Sequence, residues 1–371
     1  MDFNFTDEQR MLRDSVSNFL VRHYDFDSRQ KIVRSDAGWS REIWQQLAEL
    51  GLLALPVAED AGGLGGSAVD LIAIAEPFGA HLLAEPYCAN ALLVAPLLAH
   101  AQNAAAGDWL EKIMAGEALG AFAYEEGHGT PDLSQIGCIA VRDGDGFTVT
   151  GEKRLVAGGG EADILLVVAQ LDGRPCVLLA QPDAAGITIT EYPTIDGRRA
   201  ANIVFDGAQL AADALLIADA EDKVRAAIDM AMLALCAECV GAMGGLMRQT
   251  AEYAATRKQF GVPIGTFQSV AHRIADMKMA YTRARATLLY TAALLEAGRA
   301  TRRDMAILKG QIGKLGRQVG ESAIQTHGGV GMTDELSIGH LHKRILANDA
   351  LFGAGEYHLR VLGNLAAAAD A

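Results

Sequence analysis

Residues 253–268 read Tyr-Ala-Ala-Thr-Arg-Lys-Gln-Phe-Gly-Val-Pro-Ile-Gly-Thr-Phe-Gln, and this stretch decides the fold more than any other part of the chain. A helical pattern carries Arg257 one turn after Tyr253 and then stops, because glycine just past a helix end followed by proline is a strong stop signal. The pattern restarts near Gln268. Arg257 and Gln259 are therefore predicted to lie at a corner between two helices, where a guanidinium can bind phosphate oxygens through two parallel hydrogen bonds.

A second stretch, residues 325–335, reads Gln-Thr-His-Gly-Gly-Val-Gly-Met-Thr-Asp-Glu. It places a glutamine three residues before Gly-Gly-x-Gly. Glycines let backbone N–H groups approach a bound group closely. One such motif is weak evidence, since ordinary turns also produce it.

The two stretches, in this order and at this separation, resemble the FAD-binding signatures of the acyl-CoA dehydrogenase family. The resemblance covers essentially the whole chain, including the helix start at Thr6 and the Gly-Gly-Leu-Gly-Gly run at 62–66. Residues 235–243 and 351–358 are most similar to the heteromeric branch that includes the small subunit of pimeloyl-CoA dehydrogenase. The resemblance implies FAD as cofactor and an acyl-CoA substrate that is oxidised to the trans-2-enoyl-CoA. It also implies electron-transfer flavoprotein as the acceptor.

The resemblance also implies which residues bind the cofactor. In the family, equivalent groups hold the ADP half of an FAD that belongs to the neighbouring subunit. The implied FAD-binding residues of this chain are Arg257, Gln259, Phe260, Gln268, Gln325, Gly328 and Gly329.

The catalytic base of the family is missing from its usual place. The common pattern carries a glutamate in Tyr-Glu-Gly-Thr, and the aligned position here is Phe352 or Gly353. Other members place the base on the helix before the arginine signature, at about Ala231 in this chain. Two acids lie nearby and are the candidate bases: Glu238, two helical turns beyond Ala231, and Glu356, which follows Gly353 by three residues.

Each acid also has a structural interpretation. Glu238 lies in an apolar helical pattern, where an unpaired carboxyl would have a raised pKa. It could equally be the buried ion-pair partner of an arginine such as Arg273 or Arg283. Glu356 could be a helix N-terminal acid that interacts favourably with the helix dipole.

The central part of the chain departs from the family where that family contacts the flavin ring. The usual Thr-Glu-Pro is replaced by residues 124–126, Tyr-Glu-Glu. The ring-contacting tryptophan and threonine are replaced by Leu155 and Ala157. Because the ADP-half residues are kept while ring contacts and base are lost, we expect a paralogous partner to carry the ring and the base. This predicts an α2β2 heterotetramer with a shared FAD site; a homotetramer of this chain is the alternative.

Two other functions stay open at the level of sequence. Reduced-flavin-dependent monooxygenases on the same fold also lack the base glutamate and the threonine, but their diffusible flavin gives less need for the two signatures. A non-catalytic interaction subunit would tolerate loss of Arg257 and Gln325 without loss of activity in the complex.

Hydrophobic periodicity predicts an α+β multidomain fold of three parts. Residues 1–118 follow helical spacing and form an N-terminal helical domain. Residues 119–213 hold short β-type runs separated by Asp-Gly turns, which predicts a small barrel or sandwich. Residues 220–371 return to long helical patterns and match the four-helix bundle of the family fold.

Four glycines recur at three- and four-residue spacing in one predicted helix: Gly310, Gly313, Gly316 and Gly320. Each costs about 1 kcal/mol relative to alanine in a helix, so the stripe indicates a close helix contact. That contact could lie between subunits or within the subunit's own bundle.

Composition excludes several function classes. The formal net charge of −14 disfavours nucleic acid or an anionic membrane as a partner. The N-terminus lacks the pattern of a signal peptide, and we expect no membrane-spanning segment and a cytoplasmic location. Five scattered cysteines argue against a disulfide framework, and the Cys236–Cys239 pair is interpreted as core thiols, so no metal site is expected.

Overall fold

The structure is a computed structural model that describes residues 5–101, 103–127 and 129–369. The described residues fall into two compact units. The first unit is drawn from 1–30, 67–83 and 232–371, and the second from 31–66 and 84–231. The three predicted domain boundaries therefore remain a prediction, whereas the order of helices, sheet and helices along the chain is confirmed.

Helices dominate the chain before the sheet. A Thr6 capping box opens the first of them, with the Gln9 N–H donating to Thr6 Oγ1 at 3.2 Å and the Thr6 N–H donating to Gln9 Oε1 at 3.1 Å. A π-helix, Cys88–Val94, continues directly into the α-helix Ala95–Ala99. The α-helices are α1 (Asp7–His23), α2 (Phe26–Val33), α3 (Arg41–Glu49), α4 (Ala68–His81), α5 (Ala95–Ala99) and α6 (Ala104–Met114).

The central region forms one connected mixed sheet. Its strands are β1 (Gly120–Ala123), β2 (Ile139–Asp143), β3 (Gly146–Ala157), β4 (Ile164–Leu171), β5 (Arg174–Ala180), β6 (Ile187–Pro193), β7 (Arg199–Leu210) and β8 (Leu215–Ile217). The hydrogen-bonded order is β6-β7-β3-β2-β4-β5-β8, and β1 pairs with β4 in parallel. Side chains from β1 to β5 and from β7 share one buried cluster, which forms the core of this region.

Helices return after the sheet. They are α7 (Glu221–Thr256), α8 (Gln268–Glu296), α9 (Arg302–His327), α10 (Ser337–Ala350) and α11 (Gly355–Ala369). This described region therefore holds five α-helices, one more than the predicted four-helix bundle. Helix α9 packs against α8, α10 and α11.

Two glycines let α4 and α7 cross in backbone contact. A Cβ placed on Gly79 would lie 1.9 Å from the Glu238 carbonyl oxygen, and one on Gly241 would lie 1.8 Å from the Glu76 carbonyl oxygen. Since real Cβ atoms never approach an oxygen so closely, only glycine permits this crossing.

The glycine stripe of α9 makes a contact within the subunit. A Cβ on Gly313 would lie 2.0 Å from Asp349 Oδ1, and one on Gly316 would lie 2.7 Å from Ile345 Cγ2. Both partners belong to α10, so the intrasubunit alternative accounts for the stripe.

Helix α7 bears on the expectation that no segment of the chain spans a membrane. By length and hydropathy it passes the test for a spanning helix, with a mean hydropathy of 1.7 in its most apolar window. However, 78% of that window is buried inside the protein, as in the core helix of a globular domain.

Candidate functional site

The Arg257 corner is a β-hairpin inserted between two helices. Helix α7 ends at Thr256, strand β9 (Lys258–Gln259) pairs antiparallel with β10 (Val262–Pro263), and α8 then begins at Gln268. The expected helix stop is therefore corrected in detail, because Gly261 forms the hairpin turn and does not cap α7.

The hairpin turn has both central residues in the left-handed region. Phe260 has φ of 53° and Gly261 has φ of 83°, which is the signature of a type I′ turn. Phenylalanine is unfavourable at such a φ, and the Phe260 side chain is 94% exposed. A strained and exposed aromatic at a loop tip indicates a role outside the packing of this chain.

The glycine-rich motif forms a second corner close to the first. Helix α9 ends at His327, and a 3₁₀ turn spans Gly328–Met332. The His327 ring stacks on Tyr253 with ring centroids 4.4 Å apart, and its Nδ1 donates to the Ala323 carbonyl oxygen at 2.9 Å. The stack joins the ends of α7 and α9, so the two motifs that are far apart in sequence lie side by side.

Four polar side chains of the two corners are exposed to solvent. Among the described residues, no side-chain hydrogen bond or ion pair is formed by Arg257, Gln259, Gln268 or Gln325. A Cβ placed on Gly328 or Gly329 would meet no atom within 4 Å. A guanidinium and three amides form a donor set that suits an anionic, hydrogen-bonding ligand such as a dinucleotide, and the two glycines let such a ligand approach the backbone closely.

Family models match both ends of the chain. The acyl-CoA dehydrogenase N-terminal domain matches residues 6–117, and the acyl-CoA dehydrogenase C-terminal domain matches residues 222–366. The chain belongs to the acyl-CoA dehydrogenase family. Members of this family are FAD-dependent oxidoreductases, and the donor set at the two corners fits that cofactor.

Individual relatives match the acyl-CoA dehydrogenase chain over nearly its full length. Acyl-CoA dehydrogenase FadE28 of Mycobacterium tuberculosis is 28% identical and covers 98% of both chains. A crystal structure of the ChsE4–ChsE5 complex from Mycobacterium tuberculosis superposes with a TM-score of 0.90 at 25% identity, covering 99% of both chains. A structure of PigA with FAD and proline gives the same TM-score, identity and coverage.

The usual base position of the family is filled by other side chains. Phe352 and Gly353 form a tight corner with φ of 55° and 91°. A Cβ on Gly353 would lie 2.6 Å from Tyr357 Cδ1 and 3.0 Å from His358 Nε2. The His358 Nε2–H donates to the Phe352 carbonyl oxygen at 3.0 Å, and burial lowers the pKa of His358 to about 4, so the ring is neutral. A carboxylate side chain at Gly353 would have to displace those rings.

Glu238 lies in a buried polar network. Its Oε2 accepts hydrogen bonds from Asn348 Nδ2 at 3.0 Å and from Arg344 Nη1 at 3.4 Å. Arg344 is fully buried. The ion-pair interpretation thus names the wrong arginines, since the partner is Arg344 on α10 and neither Arg273 nor Arg283. This pairing gives Glu238 a structural task, and its role as a base stays a prediction.

Glu356 is exposed and is the second residue of α11. This is the position where an acid interacts favourably with the helix dipole. The geometry agrees with the structural interpretation, and a catalytic role for Glu356 is equally untested.

A third carboxylate, that of Asp229, could not be recognised from the sequence. Burial raises the pKa of Asp229 to about 6, against the opposing charge of Arg225. Ala231, the alternative base position, is fully buried, and two residues along a helix turn the side chain by roughly 200°. Asp229 therefore lies on the opposite side of α7 from the position that the family uses.

The flavin-ring region of the sheet is built differently from the family pattern. Lys153 is fully buried and binds Glu126 Oε1 at 2.6 Å and the Tyr124 carbonyl oxygen at 3.2 Å. The Glu125 carboxylate accepts N–H bonds from residues 126, 127 and 129. Glu125 thus holds its own loop, whereas Glu126 ties the segment to Lys153 of β3 and to the backbone N–H groups of Gly137 and Cys138.

Leu155 and Ala157, at the positions of the ring-contacting tryptophan and threonine, offer no side-chain donor. Leu155 has φ of 52° and lies at a register shift between β3 and β7, and Ala157 is exposed. β-bulges are common beside functional sites. Here the bulge presents an aliphatic side chain.

The paired cysteines are core thiols of α7. Cys236 and Cys239 are buried, and burial raises the pKa of Cys236 to about 12 and raises that of Cys239 further. Such thiols are poor metal ligands and poor nucleophiles. Within the described residues no group of three metal-ligating side chains occurs.

Proposed function

We propose that this chain is a subunit of a FAD-dependent acyl-CoA dehydrogenase and completes an FAD site that it shares with a paralogous partner. The observation that carries the proposal is the exposed donor set of the two corners, joined by the Tyr253–His327 stack. Within the described part of the chain these side chains donate to no acceptor, which is expected if the acceptor is a cofactor seated largely on another subunit.

The chemistry assigns different tasks to the two chains. In this proposal an acyl-CoA loses its α-proton to a base and its β-hydrogen as hydride, giving the trans-2-enoyl-CoA. FAD, when bound, is the hydride acceptor. Arg257 would bind pyrophosphate oxygens, Gln259, Gln268 and Gln325 would hydrogen-bond the ADP half, and Gly328 and Gly329 would let the cofactor approach the backbone closely. Phe260 would pack against the bound nucleotide or the partner.

The base is assigned to the partner for a physical reason. Its two family positions carry Ala231 and the Phe352–Gly353 corner, none of which can accept a proton through its side chain. Of the nearby acids, Glu238 is engaged by Arg344 and Glu356 begins α11. The resulting assembly would be an α2β2 heterotetramer in the cytoplasm with electron-transfer flavoprotein as acceptor.

The substrate is proposed as a class. The branch resemblance favours a dicarboxylyl-CoA such as pimeloyl-CoA, and bulky CoA thioesters such as steroid-derived ones are the next candidates. The net charge of −14 means that CoA phosphates would need local basic groups on either chain.

Replacing Arg257 by alanine tests the proposal. A charged hydrogen-bond pair contributes about 1.5–3 kcal/mol, so the Kd for FAD of the co-expressed complex should rise by about 10- to 100-fold. Arg257 is exposed and makes no contact that the fold needs. Arg283→Ala, which removes an exposed arginine from α8, is the control and should retain the parental Kd.

An unchanged FAD affinity in Arg257→Ala would count against the proposal. If activity of the complex also survived Arg257→Ala and Gln325→Ala, the chain would be an interaction subunit. Oxygenation driven by added reduced flavin, with no dehydrogenation of any acyl-CoA, would instead indicate the monooxygenase.

A further inference from the structure

The loop that follows the glycine-rich turn is held by two hydrogen bonds to one carbonyl oxygen. The Asp334 carbonyl oxygen accepts a hydrogen bond from Gln30 Nε2 at 3.1 Å and another from His340 Nε2 at 3.2 Å. Gln30 belongs to α2 and His340 to α10. Two helices that are remote in sequence therefore fix the segment that follows Gly328–Met332.

Arg29 sets the orientation of the Gln30 and His340 side chains. It is 1% exposed, and its Nη1 lies 3.2 Å from His340 Nδ1 and 2.9 Å from Gln30 Oε1. A guanidinium can only donate hydrogen bonds, so His340 Nδ1 must be the acceptor. The ring proton then sits on Nε2, where it is donated to Asp334, and the Gln30 amide is held with its NH2 group toward the same carbonyl.

A direct packing contact carries this arrangement to the glycine-rich turn. Gly339 precedes His340, and a Cβ placed on it would lie 3.3 Å from the Gly331 carbonyl oxygen. A Cβ on Gly331 would in turn lie 3.0 Å from His327 Cβ. The start of α10, the turn and the His327–Tyr253 stack are thus in tight succession.

We propose that His340, oriented by Arg29, is a positioning residue that holds the glycine-rich turn in the conformation that binds the cofactor. This inference rests on the proposed function, because it assumes that Gly328 and Gly329 face FAD. It adds that α2, which carries neither signature, contributes to cofactor retention.

The arrangement works only with a neutral His340. The charged groups around the ring are Arg29 on α2, Lys343 on α10 and the Asp334 carboxylate, whose Oδ1 lies 3.7 Å from Nε2. Burial, Arg29 and Lys343 lower the pKa of His340, against the raising effect of Asp334. A proton on Nδ1 would face the Arg29 N–H and abolish that hydrogen bond. The hold is therefore complete above the ordinary histidine pKa of about 6.5 and is lost as pH falls through the lowered value.

Three variants of the full-length chain, co-expressed with its partner, test the inference. His340→Leu removes donor and acceptor, while His340→Gln keeps a donor for Asp334 and cannot be protonated in this range. His342→Gln is the matched control, since His342 also lies on α10 with a pKa lowered by burial but packs against Gly320 of α9. The measurements are amide hydrogen exchange of residues 328–336 and the Kd for FAD between pH 7.5 and 5.

At pH 7.5 we expect His340→Leu to lose about fivefold in exchange protection of this segment and about fivefold in FAD affinity, as for one hydrogen bond. The parent and His342→Gln should lose FAD affinity toward pH 5, whereas His340→Gln should not. Parental protection in His340→Leu, or equal pH dependence in the parent and His340→Gln, would overturn the inference. Faster exchange in His340→Leu with no FAD bound by any of the four proteins would uphold the positioning role and overturn the proposed function.

Discussion

At the scale of a single residue, the ionisation of Asp229 links stability to pH. Its pKa is raised by burial from an ordinary value near 3.8 to about 6. A raised acid pKa means that the folded state binds more protons than the unfolded state. The protonated Asp229 carboxyl therefore stabilises the folded state relative to the ionised one. This contribution is fully present below the pKa of the unfolded state and is lost as pH rises through the pKa of the folded state.

Asp229→Asn should therefore stabilise the protein above pH 6. The shift corresponds to at most about 3 kcal/mol, because each pKa unit is about 1.4 kcal/mol, and residual solvent access reduces this to about 1–2 kcal/mol. Urea unfolding at several pH values measures it, and the advantage should shrink steadily between pH 6 and 4. Asp276→Asn, at an exposed position of α8, is the control. A pH-independent difference between Asp229→Asn and the parent would contradict the argument.

At the scale of residues, the candidate binding groups can be predicted from the sequence, but the partners of buried charged side chains cannot. Arg257, Gln325 and the glycines follow from local motifs, and within the described residues the Arg257 and Gln325 side chains have no protein partner. The Glu238–Arg344 pair could not be predicted, because it depends on how α7 packs against α10. Likewise, nothing in the sequence pairs Arg29 with His340.

Among the elements, the hairpin between α7 and α8 shows where pattern reading fails. Its strands have two residues each, which is too short for any periodicity. Its turn places Phe260 where asparagine or aspartate is usual. Short strands are expected between residues 119 and 213, and β2 to β7 lie there, whereas β1 and β8, with four and three residues, are too short to show a periodicity.

Helix α9 allows a direct test of its glycine stripe. Gly313→Ala would force a methyl group against the Asp349 carboxylate of α10, and we expect a loss of about 1–3 kcal/mol in the free energy of unfolding. Gly363→Ala in α11 is the matched control, because a Cβ there meets no atom within 4 Å. The control should be more stable than the parent by about 0.5–1 kcal/mol, the usual gain from replacing a helical glycine. Denaturant unfolding of both variants measures these changes. Equal losses in the free energy of unfolding for the two variants would contradict this packing.

On the scale of the whole molecule, the two corners that we propose bind FAD lie side by side, and neither family position carries a base. Each fact is ordinary alone, but together they support the proposal that this chain forms half of a shared active site. The sequence predicts this division through motif retention and loss. It does not predict which acids remain engaged within the chain, since that depends on tertiary packing around Glu238.

The assembly itself is tested most directly by flavin stoichiometry. Native mass and FAD absorbance are measured for this chain purified alone and then co-expressed with a paralogous acyl-CoA dehydrogenase subunit. We expect little or no flavin on this chain alone and one FAD per pair of unlike chains in a mixed tetramer. One FAD per chain in a tetramer of four 39.2-kDa copies would contradict it, and would return the search for the base to Glu238 and Glu356.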